Sequence, residues 1–183
     1  MADEVERIAV VQGAPGALVQ DLFRTLATRW QASARLAGVV AEDHGLPDRA
    51  CSAGYLRNLR DGAMFPIFQD LGPGSKACHL EGTDALAAAA AVRRDISHGC
   101  DLVVLSKFGK LEAQGGGLRD AFTAAFEARV PVLTSVSPPF RDAWERFAAP
   151  LFVVMPAEIG RIDAWWQAVR SGQPTVSAAS EET

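Results

Sequence analysis

Short apolar runs alternate with amphipathic segments along most of the chain. Five runs rich in Val, Ile and Leu have the length of buried strands, at residues 7–12, 36–41, 101–105, 130–136 and 151–155. Segments with helical periodicity follow them, at residues 17–30, 83–97, 118–129, 140–147 and 157–170. This alternation predicts an α/β fold with three layers, in which helices cover both faces of a mostly parallel sheet.

Individual side chains refine the prediction for the helices. In the first helix every fourth residue is apolar, which predicts that this side faces the sheet: Leu18, Leu22, Leu26 and Trp30. Thr83 is the expected N-cap of the second helix, and Gly99 its expected end. Trp165 and Trp166 are adjacent in the last helix, so we expect only one to face the sheet and the other to be available for a subunit contact.

Residues 54–72 break the alternation and have the pattern of a β-hairpin. Two short segments, 55–59 and 64–68, flank an Asp61-Gly62 step, which favours a tight turn. Pro66 places the second segment at a sheet edge or a bulge. We therefore predict a β-hairpin inserted into the α/β frame.

Length and charge narrow the class of protein. A chain of 183 residues fits one domain, predicted here at residues 1–171, and the small, polar residues 172–183 are expected to be a disordered tail. The net charge of −4 without a basic cluster argues against a general nucleic-acid binder. No apolar run reaches the roughly 18 residues that span a bilayer, and the chain starts with acidic residues, so we predict a cytoplasmic protein without a membrane partner.

The cysteines and histidines do not form a metal-binding pattern. Cys51, Cys78 and Cys100 lack CxxC spacing, which favours reduced thiols. A metal site built on Cys78 and His79 would need a second pair of ligands, because the side chains of adjacent residues diverge in a strand. We therefore predict no metal centre.

Three loops are candidates for ligand binding, at residues 13–17, 106–117 and 135–140. Each follows a predicted parallel strand, and in such folds ligands bind beyond the carboxyl ends of the strands. The topology therefore selects these loops without reference to a motif.

The first loop matches half of a Walker A motif, which has the pattern GxxxxGK[ST] between a strand and a helix. The matching residues, and candidates for ligand contact, are Gly13, Ala14, Pro15, Gly16 and Ala17. Leu18, Val19 and Gln20 replace the second glycine, the lysine and the Ser/Thr that binds magnesium. Backbone amides at the start of a helix can still bind an anion. A strand-to-helix turn without a ligand explains the glycines equally well.

The second loop follows the strand that would carry a Walker B motif. Ser106 and Lys107 stand where an acidic residue would bind magnesium. Lys107 and Lys110 could complement a phosphate or another oxyanion, and Glu112 could accept a proton or orient a water. Three glycines would let the backbone approach a ligand closely: Gly115, Gly116 and Gly117. The alternative is an exposed loop with solvated charges.

Four segments carry a family resemblance: VVQGAPG, IFQDLGPGSKACHLE, DLVVLSKFGKLEAQGGGLRDAF and VPVLTSV. The chain resembles DUF2478, a bacterial family of domains of unknown function that is related in fold to thermophile-type (THEP-like) P-loop nucleoside triphosphatases. In the catalytic relatives the second loop has an acidic pair followed by I-G-K-M-E. Lys110 and Glu112 match this pattern, whereas Ser106 and Lys107 replace the acidic pair. The resemblance implies a P-loop-like fold with a nucleotide or phosphate site, and its molybdenum-related members point to an oxyanion or pterin-like ligand.

Three functions are compatible with these observations. The first is a non-hydrolysing protein that binds a small anionic ligand, whether a nucleotide, a pterin-like molecule or an oxyanion. The second is a weak or altered nucleoside triphosphatase or phosphohydrolase, with Glu112 orienting water and Lys110 stabilising charge. The third is a regulatory or scaffold partner that uses the hairpin and exposed aromatic side chains. A homodimer is a reasonable default for an α/β protein of this size.

Overall fold

Seven strands form a single sheet in the computed structural model, which describes residues 6–45, 47, 53–67 and 82–172. Across the sheet the strands follow the order β4-β3-β2-β5-β6-β1-β7. Their bounds are β1 Ile8–Gln12, β2 Leu36–Asp43, β3 Ala53–Asn58, β4 Met64–Pro66, β5 Leu102–Phe108, β6 Val132–Val136 and β7 Phe152–Pro156.

Five of the strands are parallel, and the other two form the predicted hairpin. β1 lies between β6 and β7, and β5 lies between β2 and β6, all in parallel pairs. β3 and β4 add antiparallel strands at the β2 edge. β2 extends two residues beyond its predicted end, because Glu42 and Asp43 pair with β3.

Helices cover both faces of this sheet. They are α1 Gly16–Trp30, α2 Gly82–Ser97, α3 Lys110–Ala113, α4 Arg119–Glu127, α5 Arg141–Ala148 and α6 Ile159–Ser171, with a 3₁₀ turn at Pro138–Phe140. α1 and α6 bury their apolar residues in one core, whereas α2, α4 and α5 bury theirs in a second core on the opposite face. The architecture is the predicted three-layer, mostly parallel α/β sheet of a P-loop-like fold with an inserted hairpin.

The buried face of α1 differs in part from the prediction. Leu26 and Trp30 are buried as expected, but Val19 and Phe23 complete the face, and Leu18 is 50% exposed. Steps of four residues rotate a position by about 40° around a helix with 3.6 residues per turn. Toward the start of α1, the predicted row of apolar residues therefore turns away from the sheet.

The expectation that one of Trp165 and Trp166 is available for a subunit contact is wrong. Both side chains are buried in the core under α1 and α6. The Trp166 ring lies 5.8 Å from that of Trp30, measured between centroids, and the Trp165 Nε1–H donates to the Glu6 carbonyl at 3.0 Å. Neither ring is therefore exposed to a second subunit.

Two further element boundaries differ from the prediction. α2 includes Gly82, so Thr83 lies within the helix and is not its N-cap. Gly99, with φ of 95°, follows the end of α2 as expected. β5 continues through Ser106 and Lys107 to Phe108, so the first part of the predicted second loop is strand.

Several predictions concern residues that the structure does not describe. Cys51, the segment at 68–81 with Cys78 and His79, and the tail at 173–183 lie outside the described residues. Cys100 is a free thiol, and burial raises its pKa. Within the described ranges, no helix is long and apolar enough to cross a bilayer, and no group of three or more His, Cys, Asp or Glu could hold a metal ion.

Candidate functional site

A cleft of about 640 Å³ opens at the carboxyl edge of the parallel strands. It lies where neighbouring strands send their helices to opposite faces: β1 leads into α1 on one face, and β6 leads into α5 on the other. Such a reversal leaves a crevice beyond the strand ends, which is where α/β folds bind ligands.

All three candidate loops contribute to this cleft. One part is lined by Gly13, Ala14, Gly16 and Ala17 from the first loop, by Ser106, Lys107, Gly109, Lys110 and Glu112 from the second, and by Ser135, Ser137, Pro138 and Phe140 from the third. Apolar residues of the hairpin and α2 line the far side, namely Leu56, Ile67 and Ala85. The loops therefore surround one space, as a shared binding site requires.

The first turn of α1 presents free backbone amides to the cleft. Pro15 is the N-cap residue and contributes no side-chain hydrogen bond. The Val19 N–H makes the first hydrogen bond of the helix, to the Pro15 carbonyl at 3.1 Å. The amides of Gly16 and Ala17 thus have no partner among the described residues, and both residues line the cleft. An anion is favoured here by these N–H groups and by the helix dipole.

Gln20 connects α1 to the ends of two strands. Its Nε2 donates to the Ser106 carbonyl at 2.8 Å, and its Oε1 accepts the Ala41 N–H at 3.5 Å. The Ser135 hydroxyl donates to the same Ser106 carbonyl at 2.9 Å. The side chain at the position of the Walker A Ser/Thr is therefore a structural link between α1, β5 and β2.

The end of β5 offers a hydroxyl and two ammonium groups to the cleft. Ser106 is 4% exposed and lines the cleft, yet its Oγ makes no hydrogen bond to any described residue. Lys107 and Lys110 are exposed along the same wall. Neither ammonium forms an ion pair with a carboxylate in the described part of the chain, so both can interact with a ligand.

Glu112 has a structural environment that its predicted role as a base did not anticipate. The side chain is buried, and its two carboxylate oxygens accept the N–H groups of Gly109 and Leu118, each at 2.9 Å. The bond to Gly109 is the carboxylate half of a capping box at the start of α3. The carboxylate thus holds together the turn between β5 and α4, and this geometry favours a structural role.

The three consecutive glycines serve this same turn. The Gly116 N–H donates to the Leu111 carbonyl at 2.8 Å, and the Gly115 N–H to the Glu112 carbonyl at 3.1 Å. Gly117 has φ of 56°, and a Cβ there would lie 2.2 Å from Glu112 Oε1. Among the described residues that line the cleft, none of the three appears. Their predicted contact with a ligand has no support in this geometry.

Some cleft residues were not singled out from the sequence. Arg141 begins α5 and Arg24 lies in α1, and neither belongs to a motif. Arg24 is paired with Asp21 and with the Ala41 carbonyl. Among the described residues, the charged side chains lining the cleft are four cations, Arg24, Lys107, Lys110 and Arg141, and two acids, Asp43 and Glu112. Cations therefore outnumber acids in this lining, although the chain carries a net charge of −4.

Comparison with known proteins identifies a relative of this chain and the family to which it belongs. Over 150 residues the chain is 35% identical to the molybdenum import ATP-binding protein ModC 2 of Bradyrhizobium diazoefficiens, a match covering 81% of this chain and 16% of that protein. The chain thus spans about one sixth of the length of this curated relative. Residues 8–165 match the family described as "Protein of unknown function (DUF2478)". The predicted relation to thermophile-type nucleoside triphosphatases stays a prediction, but the resemblance on which it was based is confirmed: the chain belongs to the DUF2478 family.

Proposed function

We propose that this protein binds a phosphate-bearing small molecule, of which a nucleotide is the foremost class, and that it does not hydrolyse the ligand. One observation carries the proposal. The amides of Gly16 and Ala17, which have no partner in the described part of the chain, line the same cleft as Lys107 and Lys110.

The chemistry of these groups suits an oxyanion. Backbone N–H groups at a helix start are fixed donors, so little conformational entropy is lost when an anion binds to them. Two exposed ammonium groups supply the charge that the absent Walker A lysine would provide, since Val19 occupies that position and is buried. The Ser106 hydroxyl adds a further donor on the wall of the cleft.

The size of the cleft favours an organic ligand over a bare oxyanion. A volume of about 640 Å³ lies within the range of pockets that hold drug-sized molecules. A single tetrahedral anion would fill only a small part of it. The relative is an ATP-binding protein for molybdenum import, which supports a nucleotide and leaves a pterin-like molecule or molybdate as alternative ligands.

Two features argue against hydrolysis. Both carboxylate oxygens of Glu112 accept backbone N–H groups, which favours a structural role for this residue over that of a base that orients or deprotonates water. The residues at the two magnesium-binding positions also do not fit that ion, because Gln20 is bonded to Ser106 and Ala41, and Lys107 is a cation. We therefore derive no step that involves magnesium.

Binding is tested by isothermal titration calorimetry of the full chain at low ionic strength with ATP, ADP, pyrophosphate and molybdate, each in the presence of EDTA. We expect saturable binding of at least one phosphate compound. Lys107→Gln and Lys110→Gln should each weaken it roughly tenfold, or ~1.4 kcal/mol, because each removes one charge-assisted hydrogen bond. Arg146→Gln is the matched control, since Arg146 is exposed on α5 and does not line the cleft. Failure of every compound to bind, or equal weakening by the control, would overturn the proposed site.

The absence of hydrolysis needs a separate assay. Phosphate release from ATP and GTP is measured at high protein concentration, with the Glu112→Gln variant alongside the natural chain. We expect release at the uncatalysed rate for both proteins. Release by the natural chain above the uncatalysed rate would overturn the proposal and establish a hydrolase instead. Its loss in a Glu112→Gln variant that keeps the unfolding midpoint of the natural chain would place Glu112 in the mechanism.

A further inference from the structure

The end of β5 carries positive charge where a nucleotide site with magnesium would carry negative charge. Lys107 follows Ser106 on this strand, and Lys110 begins α3 two residues after the strand ends. Both line the cleft and lack a carboxylate partner among the described residues. A divalent cation placed here would be repelled by both ammonium groups.

The side chain that could have supplied oxygen to a cation from α1 is already occupied. Gln20 uses its amide nitrogen for the Ser106 carbonyl and its amide oxygen for the Ala41 N–H. The Ser106 carbonyl accepts a second hydrogen bond from Ser135. Magnesium requires about six oxygens at 2.0–2.1 Å in octahedral geometry, and these oxygens are engaged within the protein.

The groups at the end of β5 and the start of α1 that have no partner among the described residues can donate hydrogen bonds. Besides the two lysines, they are the hydroxyl of Ser106, a buried residue that lines the cleft, and the amides of Gly16 and Ala17. Each of these groups can donate a hydrogen bond to an anionic oxygen, and none needs a metal ion between itself and the ligand.

We infer that Lys107 and Lys110 take the place of the magnesium ion, so that the cleft selects a metal-free polyanion and magnesium weakens its binding. This inference rests on the proposed anion site. The phosphate oxygens that magnesium would chelate are the ones that the ammonium groups contact. Ligand that is complexed with magnesium therefore does not bind in the cleft. The apparent affinity decreases as magnesium lowers the fraction of free ligand.

The test uses the full chain with pyrophosphate and with ATP as separate probes. Equilibrium dialysis is performed in EDTA and in excess Mg²⁺, with NaCl in the EDTA arm to match the ionic strength, because salt alone screens the lysines. We expect each probe to bind roughly tenfold more weakly in Mg²⁺. Affinity that is equal or higher in Mg²⁺ overturns the inference and leaves the proposed function standing. If neither probe binds in either buffer, the proposed function itself fails.

A variant separates an effect of the lysines from a general effect of the salt. In Lys107→Gln, the difference in affinity between the two buffers should shrink to less than about threefold, because one of the charges that compete with magnesium is gone. Arg146→Gln should keep the full difference. An undiminished difference in Lys107→Gln would show that Lys107 does not replace the ion. Thermal unfolding without ligand confirms that both variants are folded.

Discussion

A carboxylate buried in a protein needs hydrogen bonds or cations in place of the water it loses. Glu112 obtains two backbone N–H groups, and Gly117 makes room for them, since any larger residue would overlap the carboxylate. The carbonyl of Glu112 in turn accepts a hydrogen bond from Arg119, whose guanidinium lies 4.6 Å from the centre of the Phe147 ring. The conformation of the β5–α4 turn thus depends on one acidic residue and on the space beside it.

This dependence predicts a large effect of Gly117→Ala. The added methyl group would lie 2.2 Å from Glu112 Oε1 in a backbone conformation with φ of 56°, so we expect a loss of at least about 2 kcal/mol in the free energy of unfolding. Gly160→Ala is the control, because a Cβ at this position in α6 meets no atom within 4 Å and should stabilise the helix by up to ~1 kcal/mol. Urea unfolding measures the free energy of unfolding of both variants. Similar stabilities for the two variants would contradict this account of the turn.

A second prediction at this scale concerns pH. The Arg35 side chain and backbone N–H donate to Asp101, and the side-chain hydrogen bond is the larger cause of the lowered pKa of this carboxyl, below its ordinary value of 3.8. A depressed folded-state pKa contributes stability that is complete above the unfolded value and is lost as the pH falls through the folded value. The stability difference between the natural chain and Asp101→Asn should therefore be constant above about pH 5 and shrink below 3.8.

Urea unfolding at several pH values provides the measurement. Glu127→Gln serves as the control, because Glu127 is exposed on α4 and its substitution should produce no such change. A stability difference for Asp101→Asn that does not vary between pH 3 and pH 7 would show that the contact with Arg35 does not favour the ionised carboxyl.

At the scale of elements, the apolar pattern was sufficient to predict the five parallel strands, because each has a continuous apolar run. The strands inside the sheet are largely buried on both faces, and β7 at the edge is apolar although it is partly exposed. The hairpin was predictable because the Asp61-Gly62 turn is local: the Asp61 carboxylate accepts the Ala63 N–H. The role of Glu112 could not be predicted in this way, because one of its hydrogen-bond partners is six residues away along the chain and is brought near only by the turn. Gln20 was recognised as a departure from a motif, but its contacts with β5 and β2 depend on the sheet.

These contacts predict the effect of Gln20→Ala. Loss of the 2.8 Å hydrogen bond to the Ser106 carbonyl should lower the free energy of unfolding by about 1 kcal/mol, because α1 loses its polar connection to β5. Binding of a phosphate probe should change by less than about threefold, since the backbone amides at the start of α1 remain. Gln167→Ala on α6 is the matched control, because Gln167 is exposed. A stability loss no larger than that of the control would show that this connection is unimportant.

At the scale of the whole molecule, an acidic chain presents a cationic cleft. The chain carries a net charge of −4, whereas Lys107, Lys110 and Arg141 line the cleft without an ion-pair partner among the described residues. The field of the molecule therefore repels anions generally, while the lining of the cleft attracts them at short range. Such an arrangement favours a compact, highly charged ligand over an extended polyanion such as nucleic acid, which would contact the acidic surface as well.

The continuous sheet allows us to predict how the protein unfolds. Trp144 lies in the core under α2, α4 and α5, whereas Trp30, Trp165 and Trp166 lie in the core under α1 and α6. β1 contributes Ile8 and Val10 to the first of these cores, and Ala9 and Val11 to the second. Because the two cores share strands in this way, neither can open without exposing the other. We therefore expect the predicted single domain to unfold as one cooperative unit.

Trp144→Phe isolates one side of the sheet, because its remaining tryptophans all report on the α1/α6 core. In this variant the fluorescence and far-UV circular dichroism transitions in urea should have the same midpoint, at a lower urea concentration than in the natural chain, since a buried ring has been reduced in size. Separate midpoints would mean that the two cores unfold independently. The cleft would then lie between two units, because its walls come from α1 on one face and from the α5 side on the other.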